Sequence, residues 1–230
     1  MHRVGFGITT EGNNMRQRHL FTTALATALA AAALAAPASA TSGAAQSDTH
    51  PRLGTRSLAT VLAADGNRFD RKWGDFDILD RTVRTVLNAK PSSPVAVLAD
   101  GRTRLTAFLP TDRAFRRLVV DLTGTRPATE RATFTAAATL GVDTLETVLL
   151  FHVVPGDTIT AREAAHADGV KLVTAEGGDI QIDVRRDGIF VRDDDFDDPN
   201  ARVLPWLTDI NKGNRQIAHG ISRVLRPSNL

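Results

Sequence analysis

The stretch Thr106-Ala-Phe-Leu-Pro-Thr-Asp-Arg-Ala-Phe115 decides more about the fold of this 230-residue chain than any other segment. Residues 106–109 are apolar or β-branched and predict a buried strand, which Pro110 ends because proline has no backbone N–H to donate. Thr111 or Asp112 then supplies a side chain that can cap the start of a helix. The stretch therefore predicts a core strand that leads directly into a helix.

A second stretch of the same kind is Leu149-Leu-Phe-His-Val-Val-Pro-Gly156. The run over 148–154 is continuously aliphatic and aromatic apart from its histidine, and the Pro-Gly pair closes it as a turn. The run predicts a second buried strand. From spacing and composition alone, the two stretches indicate two core strands of a mixed domain.

The residues of these two stretches resemble the signatures of the fasciclin-like domain family. Residues 106–115 reproduce the family's Thr-x-Phe-x-Pro-Thr-x-x-Ala-Phe signature, and 151–156 match its Tyr-His-x-Val-Pro-Gly signature with Phe151 in place of tyrosine. A closing signature is matched over 209–227, although Asn214 is not followed by the usual glycine. The resemblance covers roughly 57–227.

The resemblance implies an α+β fold, a β-wedge of about seven strands with a cluster of helices. It also implies that His152 and the residue before it serve fold integrity and adhesion, with Phe151 lacking the hydroxyl that the usual tyrosine brings. The family-motif residues, for which we expect a structural role, are Thr106, Phe108, Pro110, Thr111, Phe115, Phe151, His152, Pro155, Gly156 and His219.

Hydrophobic periodicity favours the same class. Helical spacing is followed by strand-like alternation towards the C-terminus, which favours α+β over a doubly wound sheet. The predicted helices are 57–66, 76–87, 115–122, 133–140 and 159–167. Ser57 can cap the first of these, and Thr158 or Thr160 can cap the last. The further predicted strands are 95–98, a hairpin over 170–192 that turns at Asp187-Gly188, and the segments 203–210 and 216–225. No internal repeat is present, so we expect a single module.

The N-terminal region has the features of a Sec-type signal peptide. Met15-Arg-Gln-Arg18 is positively charged, residues 20–36 are uncharged and rich in alanine, and an A-x-A site ends at Ala40. We interpret 1–40 as a signal peptide, with translation starting at Met15, rather than as a membrane anchor, because alanine and threonine contribute little transfer energy. The predicted product is secreted, and no other segment is apolar enough to span a membrane.

The remaining boundaries follow from composition. Residues 41–56 are small and polar and predict a disordered leader, 57–227 form the domain, and 228–230 are a short tail. Cleavage after Ala40 removes three arginines and one glutamate, so the formal net charge falls from +2 to zero. With no basic stripe interleaved with aromatics, nucleic-acid binding is not expected.

The chain contains no cysteine, which excludes disulfides, thiol catalysis and cysteine-ligated zinc. His152 and His219 lie in apolar runs and are candidate bases, metal ligands or pH sensors. We expect both to be hydrogen-bonded core imidazoles, because buried polar groups are normally satisfied and no nucleophile elbow or H-E-x-x-H spacing accompanies them. No cofactor is predicted.

The acidic run over 193–198 is the most polar feature of the predicted mature chain. Clustered carboxylates can bind Ca²⁺, although the spacing is not that of an EF-hand, and a solvated acidic loop is the favoured interpretation. The candidate metal ligands are Asp193, Asp194, Asp195, Asp197 and Asp198.

Three aromatic residues in polar surroundings are candidate ligand contacts: Trp73, Phe196 and Trp206. An aromatic ring in such a setting can stack on a sugar, although packing against the protein is the commoner use. For both tryptophans packing is the expected outcome.

The leading hypothesis is a secreted, non-enzymatic binding or adhesion module. Its expected ligand is a cell-surface or matrix protein or a glycan, and it is expected to be a monomer. It follows from the signal peptide, the resemblance and the lack of an assembled catalytic set. One alternative is an exported metal-dependent or hydrolytic enzyme using His152 and His219. Another is a cation carrier using the run over 193–198.

Overall fold

The computed structural model describes residues 52–66, 68–193, 195 and 198–227. The predicted signal peptide over 1–40, most of the predicted leader over 41–56 and the predicted tail over 228–230 lie outside these residues. Three residues of the acidic run, Asp194, Phe196 and Asp197, also lie outside them.

Six α-helices are found in the described part of the chain. Two of them start with the expected caps: the Ser57 hydroxyl accepts the Thr60 N–H at 3.2 Å, and Thr160 and Glu163 form a capping box. The predicted cap at Thr111 or Asp112 is wrong, because the Thr111 side chain makes no cap hydrogen bond and the Asp112 carboxylate accepts the Ile78 N–H of the preceding helix instead. The helices are α1 (Leu58–Leu62), α2 (Asp77–Ala89), α3 (Asp112–Thr123), α4 (Glu130–Ala138), α5 (Val142–Phe151) and α6 (Ala161–Ala164). Short 3₁₀ turns cover Ala63–Asp65, Pro94–Ala99 and Pro205–Leu207.

Seven strands form two sheets in the same part of the chain. In the first sheet, β1 (Leu105–Pro110) lies between β2 (Val153–Pro155), which is antiparallel to it, and β7 (Gln216–Ile221), which is parallel. The second sheet is antiparallel throughout and has the order β3-β4-β5-β6. Its strands are β3 (Lys171–Val173), β4 (Asp179–Arg185), β5 (Gly188–Arg192) and β6 (Ala201–Arg202).

Strand β1 is buried on both of its faces. Successive side chains of a strand point to opposite faces. Leu105, Ala107 and Leu109 pack into a core that they share with the helices, whereas Phe108 packs into a second core beside Ile180 and Ile182 of β4. The first sheet is therefore a layer between the helices and the second sheet.

The α+β class and the β-wedge with its cluster of helices are confirmed, as is the hairpin over 170–192. Three strand predictions are wrong. Residues 148–151 form the last turn of α5, because Leu145, Val148 and Leu149 recur at helical spacing within an apolar run that also suits a strand. Residues 95–98 lie in a 3₁₀ turn. Residues 203–210 contain a 3₁₀ turn between isolated bridges at Val203 and Ile210.

Within the described residues, no single helix combines the length and apolarity needed to cross a membrane. Helices α4 and α5 satisfy that test only as a pair, and they meet at an angle of 106°.

Replacing Phe115 by alanine is expected to lower the free energy of unfolding by about 3–5 kcal/mol, because the ring is buried in the helix-side core and its removal leaves a cavity. Chemical denaturation measures the change. Phe190→Ala is the matched control, since that ring on β5 is only half-buried and should cost clearly less. Equal losses for the two variants would contradict the assignment of Phe115 to the core.

Candidate functional site

His152 lies at the C-terminal end of α5, and its side chain is buried. Its Nε2 accepts the Leu225 N–H at 2.9 Å, so its Nδ1 carries the proton and donates to the Val148 carbonyl oxygen at 2.7 Å. Burial lowers the pKa of His152 to about 4, against the opposing effect of the Val148 carbonyl. The imidazole is therefore neutral at pH 7 and both of its nitrogens are engaged.

His219 lies on β7 opposite Phe108 of β1 and is also buried. Its Nδ1 accepts the Asp209 N–H at 3.3 Å, and its Nε2 donates to the Ile159 carbonyl oxygen at 2.8 Å. Burial lowers the pKa of His219 as well. The two histidines thus hold opposite tautomers, each fixed by backbone groups, and neither presents a nitrogen to solvent.

The other signature residues lie in the core or in turns. Phe108, Phe115 and Phe151 are core side chains, and the Thr106 hydroxyl both donates to the Asp157 carbonyl and accepts the Ile159 N–H, each at 2.8 Å. Gly156, with φ of 100°, adopts the left-handed conformation that the turn after Pro155 requires. Pro110 is the last residue of β1, and Thr111 is the N-cap residue of α3.

The described residues of the acidic run bond to arginines near the C-terminus. Asp195 pairs with Arg226 at 2.6 Å, and Asp198 pairs with both Arg226 and Arg223, at 2.9 and 2.7 Å. Asp193 accepts the Arg226 N–H at 2.8 Å, and burial raises its pKa. The expectation of a solvated loop is wrong for Asp195, which is 2% exposed.

Trp206 is the most exposed large apolar side chain in the described part of the chain, at 74%. It lies on the 3₁₀ turn Pro205–Leu207, which packs closely on β7: a Cβ at Gly220 would lie 2.6 Å from Cβ of Leu207. The Leu204 N–H also donates to the Gly220 carbonyl at 2.8 Å. Leu207 is thus directed to the sheet and Trp206 to solvent, so the expectation that Trp206 packs in a strand is wrong.

Trp73 lies on the loop before α2. Its carbonyl oxygen accepts the Arg113 N–H at 3.0 Å, which ties the loop to the first turn of α3. The guanidinium of Arg116 lies 3.7 Å from the centre of the indole ring, a cation–π contact. Trp73 is half-buried rather than fully packed.

The two tryptophans line one groove of about 430 Å³, which we call the Trp–Arg groove. Three arginines from two elements line it with them: Arg113 and Arg117 of α3 and Arg202 of β6. The remaining lining residues are Gly74, Thr111, Leu204 and Ser222. Arg113 and Arg117 also line an adjacent depression of about 640 Å³, to which Arg116 and Arg126 contribute.

The arginines of this surface lie close enough to repel one another. Burial, and then repulsion from Arg126, Arg113 and Arg117, lowers the pKa of Arg116. The pKa of Arg117 is lowered by burial and then by Arg223 and Arg113. Guanidinium groups that repel one another in this way are stabilised by an anion that binds between them.

The arrangement suits a ligand that has flat ring faces and also negative charges. Indole rings stack on flat apolar faces, and guanidinium groups bind carboxylate, sulfate or phosphate in a bidentate manner. Sequence reasoning identified Trp73 and Trp206 but missed the arginines. The sequence does contain a pattern that indicates them: Arg113, Arg116 and Arg117 recur at spacings of three and four residues, which places them on one face of a helix. That face of α3 lies opposite Phe115 and Leu118.

Comparison with protein-family models matches residues 81–227 to the fasciclin domain. The chain belongs to the fasciclin domain family. Among solved structures, 17 chains are similar to this fasciclin domain. One is the FAS1 domain pair of the insect cell adhesion molecule Fasciclin I, with 15% identity and a TM-score of 0.50.

That match covers 75% of this chain and 51% of the domain pair, so this chain spans about half the length of that relative. At this level of identity the likeness concerns the fold alone. No curated protein matches the sequence.

Replacing His152 by alanine is expected to lower the free energy of unfolding at pH 7.5 by about 1–3 kcal/mol, because the Leu225 N–H and the Val148 carbonyl lose their buried partner. The loss should shrink on acidification. The pKa of His152 is about 4 in the folded chain and near 6.5 when unfolded, so the unfolded chain binds more protons between these values. The wild-type histidine therefore stabilises fully above pH 6.5 and progressively less towards pH 4.

Denaturation of both proteins at pH 7.5 and pH 4.5 measures this difference. His166→Ala is the matched control, because that side chain is exposed and its loss should change stability by no more than about 0.5 kcal/mol. A deficit for His152→Ala that stayed constant with pH would contradict the lowered pKa of the buried imidazole.

Proposed function

We propose that this fasciclin domain is a non-catalytic, extracellular adhesion module that binds an acidic carbohydrate in the Trp–Arg groove. The observation that carries the proposal is the meeting of Trp73, Trp206 and three arginines at one groove. The family is known for adhesion-type modules, and the structurally similar FAS1 domain pair comes from a cell adhesion molecule. The predicted signal peptide supports an extracellular location.

The chemistry of the groove favours a carbohydrate over a generic apolar partner. Its volume of about 430 Å³ lies within the range of about 300–1,000 Å³ in which small-ligand sites fall. Its exposed apolar surface is concentrated in tryptophan, whose flat ring suits a sugar face. The arginines add the requirement that the sugar carries carboxylate or sulfate groups.

A binding role is also favoured by the state of the histidines. Hydrolytic chemistry needs a base whose nitrogen can reach substrate, and the nitrogens of His152 and His219 are occupied by backbone groups inside the core. The acidic run is a weaker candidate for a cation carrier, because Asp195 and Asp198 already pair with arginines. We therefore place ligand binding at the groove.

The test is binding of the full chain to immobilised polysaccharides that differ in charge: alginate, a polyuronate; dextran sulfate; and neutral dextran. We expect binding to the two anionic polymers and not to dextran, with affinity falling as salt rises. Trp206→Ala and Arg113→Gln should each weaken binding by roughly 5- to 150-fold, which corresponds to about 1–3 kcal/mol.

Two matched control variants distinguish binding at the groove from non-specific attraction to the protein surface. Val173→Ala removes another exposed apolar side chain, on β3, and Arg186→Gln removes an exposed arginine beyond β4. Both should bind like wild type. Loss of binding that is equal for Arg186→Gln and Arg113→Gln would indicate non-specific charge attraction, and the absence of binding to any polymer would remove the carbohydrate assignment.

A further inference from the structure

Three helices of this domain begin at buried acidic residues. Asp77, Asp112 and Glu130 are the first residues of α2, α3 and α4, and they are 5%, 0% and 0% exposed. The loop before α2 adds two more carboxylates, from Asp70, which is exposed, and Asp75, which is half-buried. We call these five residues the carboxylate cluster.

The five carboxylates meet in two overlapping sets. Asp70, Asp77 and Glu130 each offer one oxygen within 4.8 Å of the others, and so do Asp75, Asp77 and Asp112. Asp77 belongs to both sets and joins them. The residues are widely separated in sequence, and the backbone holds them: the Asp112 N–H donates to the Asp75 carbonyl at 3.0 Å, and the Asp70 N–H donates to Oε2 of Glu130 at 2.5 Å.

Two oxygens of the cluster are buried and accept no N–H group. Oδ1 of Asp112 accepts the Ile78 N–H at 2.9 Å, whereas Oδ2 meets no donor among the described residues other than a proton shared with the Asp75 carboxyl, a hydrogen bond that raises the pKa of Asp112. Oε1 of Glu130 meets no donor in this part of the chain. A buried acceptor without a partner is costly, and a native structure normally supplies a proton, a water or an ion for it.

The starts of three helices bring positive charge to the cluster, about half a unit charge each. Lys72 approaches Asp70 at 3.1 Å, yet its side chain is 79% exposed. Burial, followed by the neighbouring acids, raises the pKa of Asp112 to about 9 and that of Glu130 to about 7.

We propose that the carboxylate cluster is a binding site for a divalent cation of the Ca²⁺ class. Carboxylate oxygens are the hard ligands that Ca²⁺ prefers, and at a bond length of about 2.3–2.6 Å opposite ligands lie about 4.6–5.2 Å apart. The oxygens of each set all lie within 4.8 Å of one another, so they are close enough to share one ion. Asp77, Asp112 and Glu130 form the buried floor of the site, and Asp70 and Asp75 form its solvent-facing side.

A cation here also fixes a loop. Asp70 and Asp75 flank the segment that carries Trp73, and their carboxylates would be joined through the ion to the starts of α2, α3 and α4. The site itself depends on the carboxylates alone and not on the Trp–Arg groove, so it stands whether or not the groove binds carbohydrate.

The test uses the full chain, freed of metal with a chelator and titrated with CaCl₂ at pH 7.5 in a calorimeter and in a thermal melt. At a hundred times Kd, we expect Ca²⁺ to raise Tm by roughly 5–10 °C. Binding at pH 5.5 should be at least tenfold weaker, because protons compete for the same oxygens. Mg²⁺ should bind at least tenfold more weakly than Ca²⁺, since it demands a tighter octahedral shell.

Glu130→Gln and Asp112→Asn should each weaken Ca²⁺ binding at least tenfold while leaving the metal-free Tm equal to or above that of wild type. Each replaces a carboxyl group that burial disfavours as an anion with a neutral amide, which keeps an oxygen to accept the Asp70 or Ile78 N–H. Asp179→Asn on β4 is the matched control and should bind like wild type. If one cluster variant fails to fold, the other decides.

Three results would overturn the proposal. The first is no heat and no change in Tm at 10 mM CaCl₂, which would mean that protons alone hold the cluster together. The second is unchanged affinity in the folded cluster variants. The third is Mg²⁺ binding as tight as Ca²⁺ binding, which would remove the assignment to the Ca²⁺ class.

Discussion

The structure depends on the burial of β1 on both faces. A strand in that position must have its backbone groups paired on both edges, and β2 and β7 provide this pairing. Its side chains must also satisfy two cores, with Leu109 on the helix side and Phe108 towards the second sheet. Helices and second sheet are therefore held together through one layer, and each needs the other to cover that layer.

The two buried histidines extend the same constraint to the ends of neighbouring elements. His152 joins the end of α5 to the segment after β7, and its own carbonyl accepts the Phe108 N–H of β1 at 2.9 Å. His219 joins β7 to the segments at Asp209 and Ile159. A neutral imidazole suits this role because it donates one hydrogen bond and accepts another at the same time. Both signature histidines thus hold backbone groups together inside the core.

The sequence predicted those parts that local pattern determines. Caps at Ser57 and Thr160 and the hairpin turn at Asp187-Gly188 depend on nearby residues, and all three are found. The run over 148–151 was misassigned because a continuous apolar segment suits a buried strand and a buried helix equally. The exposure of Trp206 was not predictable, since it depends on the contact between Leu207 and Gly220. The carboxylate cluster draws on residues as much as 60 positions apart, which only the tertiary fold brings together.

The first turn of α3 connects the two proposed sites. Asp112 points inward to the carboxylate cluster and its N–H binds the Asp75 carbonyl, while the next N–H, from Arg113, binds the Trp73 carbonyl. One loop is therefore held by consecutive amides, with carboxylates on its inner side and an indole on its outer side. Repulsion among the carboxylates would loosen this loop, so we expect an ion bound at the cluster to hold Trp73 in place. The two proposed sites would then be coupled through the first turn of α3.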